Sequence, residues 1–382
     1  MKQRVILLGS TGSIGTQSLE VLAMHSDQFE LLGISAGHDS KLLREQAEKW
    51  KPSIVACSES LDQQDYPGPN ELWCGEDASE RLAAVPCDIV IVAISGFAAL
   101  KPVINAIRHT KRIAIANKES LVCGGSFVTR LAAECGAEFL PIDSEQSAVF
   151  QCLRGGRKED VRKLILTASG GPFFRKSRAE LKNVSLEQVL SHPTWSMGRK
   201  ITLDSATMFN KGLEIIEASR LFGFNADHID VLIHPQSIVH SMVEFIDGSV
   251  IANMAVPDMR LPIQYALTYP ERIISPARPL DLSECGSLSF FKADRERFPA
   301  LRMAYDALRL DQGYPIVLNG ANEMAASLYF KGTVCFDEIE GYVQAALDAY
   351  NPHEIRTVDD IMAVDRWSRS YVQLTNKRLC NS

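Results

Sequence analysis

Between residues 2 and 141 the chain repeats one pattern: a short run rich in Val and Ile, then a stretch with apolar residues at helical spacing. The runs are RVILL (4–8), ELLGIS (30–35), SIVA (53–56), DIVIVAI (88–94), RIAIA (112–116) and AEFLP (137–141). They are nearly continuous in hydrophobicity, as strands are when both faces are buried. Helical stretches fall between them at 17–24, 40–50, 98–108 and 125–135. The pattern predicts an α/β fold here: a Rossmann-like, doubly wound parallel sheet with helices on both faces. In such a sheet ligands bind at the carboxyl ends of the strands.

The rest of the chain reads differently. VRKLILTA (161–168) is a strand, followed by SGGPF and a polar stretch to about 191. LDSATMFNKGLEIIEASRLFG (203–223) reads as one helix, capped by Asp204 or Ser205 and closed by Gly223. Residues 230–256 are strand-like, with Asp247-Gly248 as a hairpin turn. Residues 271–293 hold two prolines and few periodic apolar positions, a linker. Helical patterns at 295–310, 318–330, 336–349 and 357–371 predict a small helical bundle.

Bulk properties exclude several classes. A net charge of −7 over 382 residues leaves no basic footprint for nucleic acid. No apolar run approaches the ~20 residues that cross a bilayer. MKQRVILLGSTG enters a strand at once, leaving no room for a targeting peptide ahead of it. Nine widely spaced cysteines, none in a CxxC pair, argue against a zinc site or a disulfide framework and point to reduced thiols in a cytoplasm.

GSTGSIG (9–15) lies between the first strand and the first helix. Gly9 permits the tight turn, Gly12 lets backbone approach a pyrophosphate, and Gly15 lets helix pack on strand. The spacing is G-x-x-G-x-x-G; its place in an alternating domain makes it a dinucleotide site. The second strand ends SAGHDSKLLR (35–44) without an acid at its tip, and Gly37, His38, Lys41 and Arg44 suit a 2′-phosphate, hence NADP. Asp39 pulls the other way, and a solvated helix start also accounts for His38 and Asp39.

NKES (117–120) and DSEQ (143–146) fall at the carboxyl ends of the fifth and sixth runs, so Lys118, Asp143 and Glu145 should converge near the nicotinamide. Asn210 and Glu214, at i and i+4, share a helix face, with Lys211 beside them. Two readings stay open. Asp143 and Glu145 are helix N-terminal acids favoured by the dipole; or, with Glu214, they hold an oxygen-liganded Mg²⁺ or Mn²⁺. ASGGPF (168–173) offers Ser169 and backbone amides to an anion, and Ser205, Asn210 and Lys211 add donors that fit a small phosphorylated substrate. In SHPTWSMG (191–198), beside His192 and Met197, Trp195 between Pro193 and Gly198 is either buried structurally or closes over a ligand.

Taken in order, GSTGSIG, ANKES, IDSEQSA, ASGGPF, HPTWSMGRK, DSATMFNKGLEIIE and HPQSIVHSMVEF make the chain resemble, over its whole length, the 1-deoxy-D-xylulose 5-phosphate reductoisomerases. The resemblance implies three parts: an NADPH-binding domain (1–142), a catalytic and metal-binding domain with a dimer-forming sheet (143–274), and, after a linker (275–294), a C-terminal helical domain (295–382). It implies a homodimer and one divalent ion on Asp143, Glu145 and Glu214. Ser144, Lys118, Ser169, His192, Ser205, Asn210 and Lys211 become substrate contacts, with Lys118, Glu145, Glu214 and His192 in catalysis. Thr11, Gly12, Ser13, Ile14, Asn117, Glu119 and Gly198 become NADPH contacts, and Trp195 and Met197 a mobile lid. At Gly37-His38-Asp39 the chain departs from the family, which commonly has Gly, a basic or small residue, then Asn. His234 and His240 are expected to be structural, at the sheet or a dimer interface.

The implied reaction is a metal-assisted retro-aldol and re-aldol rearrangement of the sugar phosphate, followed by hydride transfer from NADPH. Lys118, Glu145 and a metal-bound water all remain open as the general base. An NADP-linked polyol-phosphate dehydrogenase and a non-catalytic nucleotide sensor are the rivals. Neither needs the acids or the HPTWSMG segment.

Overall fold

The computed structural model describes residues 1–66, 71–182, 184–192, 194–195 and 197–380. Pro193, one of the two residues taken to bound the Trp195 loop, lies outside the described residues. The chain divides into two compact units, each discontinuous in sequence. The first holds Met1–Ser120, Val128–Ser147 and Asp258–Arg278; the second holds Leu121–Phe127, Ala148–Pro257 and Pro279–Ser382.

The first unit is built on seven strands: β1 (Gln3–Leu8), β2 (Phe29–Ala36), β3 (Ile54–Cys57), β4 (Glu71–Cys74), β5 (Ile89–Val92), β6 (Arg112–Ile115) and β7 (Glu138–Pro141). Their order is β4-β3-β2-β1-β5-β6-β7, with every pairing parallel. Val5–Leu8, β3 and β5 are buried throughout, which is why these runs are continuously apolar. The strand order reverses between β1 and β5, the switch point where such sheets open a crevice.

The helices of this region are α1 (Ser13–Met24), α2 (Lys41–Trp50), α3 (Ala78–Ala83), α4 (Leu100–His109), α5 (Glu119–Cys135) and α6 (Ser144–Cys152). β4 and α3 lie outside the six runs and four helical stretches expected. β4 is only four residues long, half-exposed at the sheet edge, and carries no Val or Ile. NKES and DSEQ therefore follow the sixth and seventh strands.

In the second unit, β8 (Val161–Ala168), β9 (Ile229–Ile233), β10 (Val239–Phe245), β11 (Val250–Met254) and β12 (Phe291–Lys292) form a sheet of order β11-β10-β8-β9-β12. β8 and β9 are parallel and the other pairs antiparallel, so the sheet is mixed. The linker expected at 275–294 thus contributes an edge strand, two residues too short to register as a pattern.

Three helices follow β8 and its loop: α7 (Leu186–Leu190), α8 (Arg199–Thr207) and α9 (Phe209–Phe222). The single helix expected at 203–223 is two. Met208, buried at φ +65°, breaks the run without any Gly or Pro to announce it. Asp204 and Ser205 consequently lie inside α8 and cap nothing, whereas Gly223 does close α9 at φ +68°. The helix α10 (Arg260–Thr268) belongs to the first unit. Arg112 donates to the carbonyls of Leu267 (3.0 Å) and Tyr269 (2.8 Å) there. Finally α11 (Pro299–Leu310), α12 (Tyr314–Phe330), α13 (Ile339–Ala349) and α14 (Val358–Cys380) form the expected bundle, tied to β9 by the Tyr305 hydroxyl donating to Ile229 O at 2.9 Å. Among the described residues no helix is long and apolar enough to cross a membrane.

Candidate active site

The loop from β1 to α1 lies at the switch point. Gly9 takes φ +85°, and a Cβ there would stand 2.6 Å from Ala93 O in the loop after β5. A Cβ on Gly15 would meet Gly9 O at 2.3 Å, so only glycine lets α1 press onto this turn. Gly9 N and Ser10 N both donate to Ser35 O, at 3.0 and 2.8 Å, and the Gln46 amide donates to Ser10 O at 2.9 Å. Gly12 is the N-cap of α1 and supplies no side-chain cap, while Gly12 and Ser13 are exposed and Thr11 and Ile14 half-buried. The first amides of α1 are thus presented at an exposed turn, an arrangement that suits a phosphate.

The end of β2 carries a charged corner. Arg44 donates to both oxygens of Asp39, Nε at 3.2 Å and Nη2 at 2.6 Å, and the Tyr66 hydroxyl donates to Asp39 at 2.8 Å. The hydrogen bond from Arg44, with help from Tyr66, holds the Asp39 carboxyl below the usual carboxylate range. Glu59 accepts from Asp39 N at 2.9 Å and pairs with His38 Nδ1 at 2.8 Å; Arg44 also reaches Asp65 at 3.0 Å. Glu59, Asp65 and Tyr66 were not singled out by the sequence, because no local pattern ties them to the end of β2.

At the ends of β6 and β7 stand Asn117, Lys118, Asp143 and Glu145. The Asn117 amide donates to Ile94 O (2.8 Å), Gly96 O (3.0 Å) and Glu119 Oε2 (2.8 Å), and its oxygen accepts from Ser120 N (2.8 Å). It therefore locks the loop after β5 to the start of α5. Lys118, itself buried, forms an ion pair with Asp143. Asp143 and Glu145 each place an oxygen within 4.8 Å of the other, and Ser144 donates to Glu145 at 2.5 Å. The expected convergence of Lys118, Asp143 and Glu145 is met within this unit.

The second unit assembles a polar group of its own. On α9, Asn210 donates to Glu214 Oε1 at 2.5 Å and Lys211 pairs with Glu214 Oε2. Glu214 and Lys211 are buried and Asn210 is half-buried. Ser205, on the last turn of α8, is half-buried. Its neighbour Asp204 pairs with Lys200 and accepts from Asn322 of α12 at 3.1 Å. That anchor went unread in the sequence, although a polar NGANE inside an apolar helix is its trace.

Beyond β8, Ser169 Oγ accepts from Gly171 N at 3.2 Å and lies 3.0 Å from His192 Nε2. His192 Nδ1 accepts from Thr194 N (3.1 Å) and Trp195 N (2.9 Å), so the ring proton sits on Nε2 and is donated to Ser169. Burial pushes the His192 pKa down to about 4, so the ring is neutral at neutral pH. With two donors already on its oxygen, the Ser169 hydroxyl has its own proton to give elsewhere. Trp195 and Met197 are half-buried; the Trp195 ring lies 6.2 Å from that of His240. Gly198 is exposed and is the N-cap of α8. His234 donates from Nδ1 to Ser289 O at 2.9 Å, accepts from Ile238 N at 3.2 Å and stacks on Phe290, the bonds of a structural residue.

A glycine-built phosphate cradle at the switch point of a parallel sheet, with a buried lysine–carboxylate pair at strand ends of the same sheet, defines a dinucleotide-dependent enzyme fold. Three family models match: 1-deoxy-D-xylulose 5-phosphate reductoisomerase over 5–125, its C-terminal domain over 139–222, and a further DXP reductoisomerase C-terminal domain over 254–371. The reductoisomerase of Chlorobium chlorochromatii is 49% identical over 369 residues, 95% of this chain and 97% of that one. A solved DOX-P reductoisomerase in complex with NADPH, fosmidomycin and magnesium superposes with a TM-score of 0.93 at 37% identity, over 99% of both chains. The Zymomonas mobilis reductoisomerase in complex with NADPH gives 0.91 at 36% identity, over 98% of this chain and 99% of that one. The chain belongs to the 1-deoxy-D-xylulose 5-phosphate reductoisomerase family.

Proposed function

We infer that the chain is an NADPH-dependent reductoisomerase that converts 1-deoxy-D-xylulose 5-phosphate to 2-C-methyl-D-erythritol 4-phosphate, in the non-mevalonate route to isoprenoids. It is an oxidoreductase and an isomerase at once, with NADPH and magnesium as cofactors. One observation carries this reading: the likeness, over 99% of both chains, to a reductoisomerase solved with NADPH, fosmidomycin and magnesium.

The site roles follow from the chemistry of the residues. Asp143, Glu145 and Glu214 would hold the divalent ion, Mg²⁺ or Mn²⁺. The donor set fits, being all oxygen with no His or Cys, half-buried at Asp143 and Glu145 and buried at Glu214. When bound, the ion supplies Lewis acidity to the substrate's ketone. Ser169, Ser205, Asn210 and Lys211 bind the phosphate, and the free hydroxyl proton of Ser169 supports its place there. Lys118, Ser144 and Glu145 contact the reacting end, with Lys118 or Glu145 moving the proton. His192, whose Nε2 proton is given to Ser169, orients that hydroxyl and stands beside the substrate as a contact and catalytic residue. Trp195 and Met197 close over the substrate and exclude water. Thr11, Gly12, Ser13 and Ile14 take the pyrophosphate, Gly37, His38 and Asp39 the adenosine ribose, and Asn117, Glu119 and Gly198 further parts of NADPH. The working division we propose is 1–142 for NADPH, 143–274 for catalysis and metal, and 295–382 as the helical domain after a linker at 275–294.

We also propose a homodimer through the edge strand β11. There Val250, Ile251 and Met254 are exposed by 50%, 37% and 36%, an apolar edge that a second copy would cover. The free thiols of Cys57, Cys74, Cys87 and Cys152 support residence in a reducing cytoplasm.

The test is NADPH consumption, with Mg²⁺ present, on deoxyxylulose phosphate and on simple polyol phosphates. Consumption confined to the first, yielding the rearranged skeleton, is expected. Turnover of the polyol phosphates without rearrangement would defeat the reading.

A further inference from the structure

We propose that the Asp39–Arg44 pair sets the nucleotide preference of this chain, holding its discrimination for NADPH over NADH well below what Arg44 alone would give. The proposal rests on the reading that the cradle at 9–15 binds NADPH.

β2 lies next to β1, so a dinucleotide whose pyrophosphate sits on the cradle has its adenosine ribose at the end of β2. That place is open: nothing stands within 4 Å of a Cβ built on Gly37, and Gly37 and His38 are exposed. What lines it is a ledger of charges. Arg44 and Lys41 are the cations. Arg44 is gripped by both oxygens of Asp39 and, at 3.0 Å, by Asp65, while Lys41 lies 3.4 Å from Glu45. Glu59 adds a further carboxylate, bonded to His38 and to Asp39 N. Two cations therefore stand against Asp39, Glu45, Glu59 and Asp65.

The two nucleotides ask opposite things of such a corner. A 2′-phosphate brings close to two negative charges and needs a cation with donors to spare. A 2′-hydroxyl brings a donor and needs an acceptor. Asp39 works against the first twice, by repelling the phosphate and by occupying the Nε/Nη2 edge of Arg44 that would grip it. It serves the second, since it stands fixed at the strand end. The Tyr66 hydroxyl at 2.8 Å and the Glu59 contact to Asp39 N hold it there. A residue that only anchored the start of α2 would leave both nucleotides equally affected when changed.

The experiment titrates NADPH and NADH into the full chain, without substrate, and reads each Kd by nucleotide fluorescence. In Asp39→Asn, NADPH should tighten about five- to tenfold while NADH weakens about twofold or more, so that their ratio moves by more than tenfold. Asp65→Asn, at an exposed position that meets only the far side of Arg44, should tighten NADPH by a smaller factor and leave NADH unchanged. Arg44→Gln should weaken NADPH at least about tenfold with NADH nearly constant. A ratio unmoved by both Asp39→Asn and Asp65→Asn would overturn the inference while leaving NADPH binding intact. If the unaltered chain bound neither nucleotide, the functional reading itself would fall.

Discussion

Two lysine–carboxylate pairs, largely withdrawn from solvent, stand among the candidate catalytic residues, and they are made in opposite ways. Lys211 and Glu214 are three residues apart on α9, with side chains only 4% and 1% exposed. Lys118 and Asp143 come from different loops, at 7% and 12%, and meet only because β6 and β7 are neighbours in the sheet. The first pair is imposed by helix geometry wherever that stretch is helical. The second exists only if the sheet order is right. In both, opposite charges meet where little water screens them, so each attraction is stronger than at the surface.

The comparison can be broken most forcefully at Glu214. As a metal ligand, Glu214→Gln should lower kcat about a thousandfold per folded molecule, with NADPH affinity near wild type. Asp143→Asn, at a second proposed ligand, should do the same. Full turnover in either variant would remove that residue from the metal site. The lysines sharpen the contrast. Lys211→Met, losing a charged contact to phosphate, should raise KM for the sugar phosphate about ten- to hundredfold. Lys118→Met should fall on kcat instead. A shared effect on KM alone would merge the two roles.

A smaller effect is expected outside the pairs. Trp195→Ala should weaken a substrate-like phosphonate hydroxamate, and lower kcat/KM, about tenfold, the burial of an indole over ligand being worth about 25 cal/mol per Å². Thermal stability should barely change. If the variant unfolds while each folded molecule keeps its inhibitor affinity, Trp195 is a core residue. The smallest effect concerns His192. Its folded pKa of about 4 lies below the unfolded value, so acid favours states in which the ring is released. The bonds of His192 to Ser169, Thr194 and Trp195 should be retained above the unfolded pKa of about 6.5 and lost progressively as pH falls towards 4. An NMR titration of the ring with a midpoint near 6.5 would contradict the bonds drawn to Ser169, Thr194 and Trp195.

What was legible in the sequence follows the same division as the two pairs. Periodicities and glycine spacing exposed the β1 turn, the buried strands, the Asn210–Lys211–Glu214 face and the helical bundle, all of which are local. The sequence missed β4, whose half-exposed ELWC has neither alternation nor β-branched residues. It also missed the break at Met208, because a buried non-glycine in the left-handed region leaves no compositional mark. Asp204, expected to cap a helix, is held instead by Lys200 and by Asn322 from a helix over a hundred residues away. The state of His192 was equally hidden: its tautomer is set by two backbone amides and a serine that only the folded loop brings to it. At the end of β2 the sequence displayed Asp39 and Arg44 but not that they bind each other, nor that Tyr66 and Glu59 fix them.

The most direct measurement of the central claim is NADPH oxidation with deoxyxylulose phosphate by the chain stripped of divalent ions, before and after Mg²⁺ is restored. Each state is run with the unaltered protein and with Glu214→Gln. The account predicts negligible oxidation until Mg²⁺ is added, then formation of the rearranged 2-C-methyl-D-erythritol 4-phosphate by the unaltered chain alone. Equal rates with and without the ion, or an unrearranged sugar alcohol as product, would contradict it.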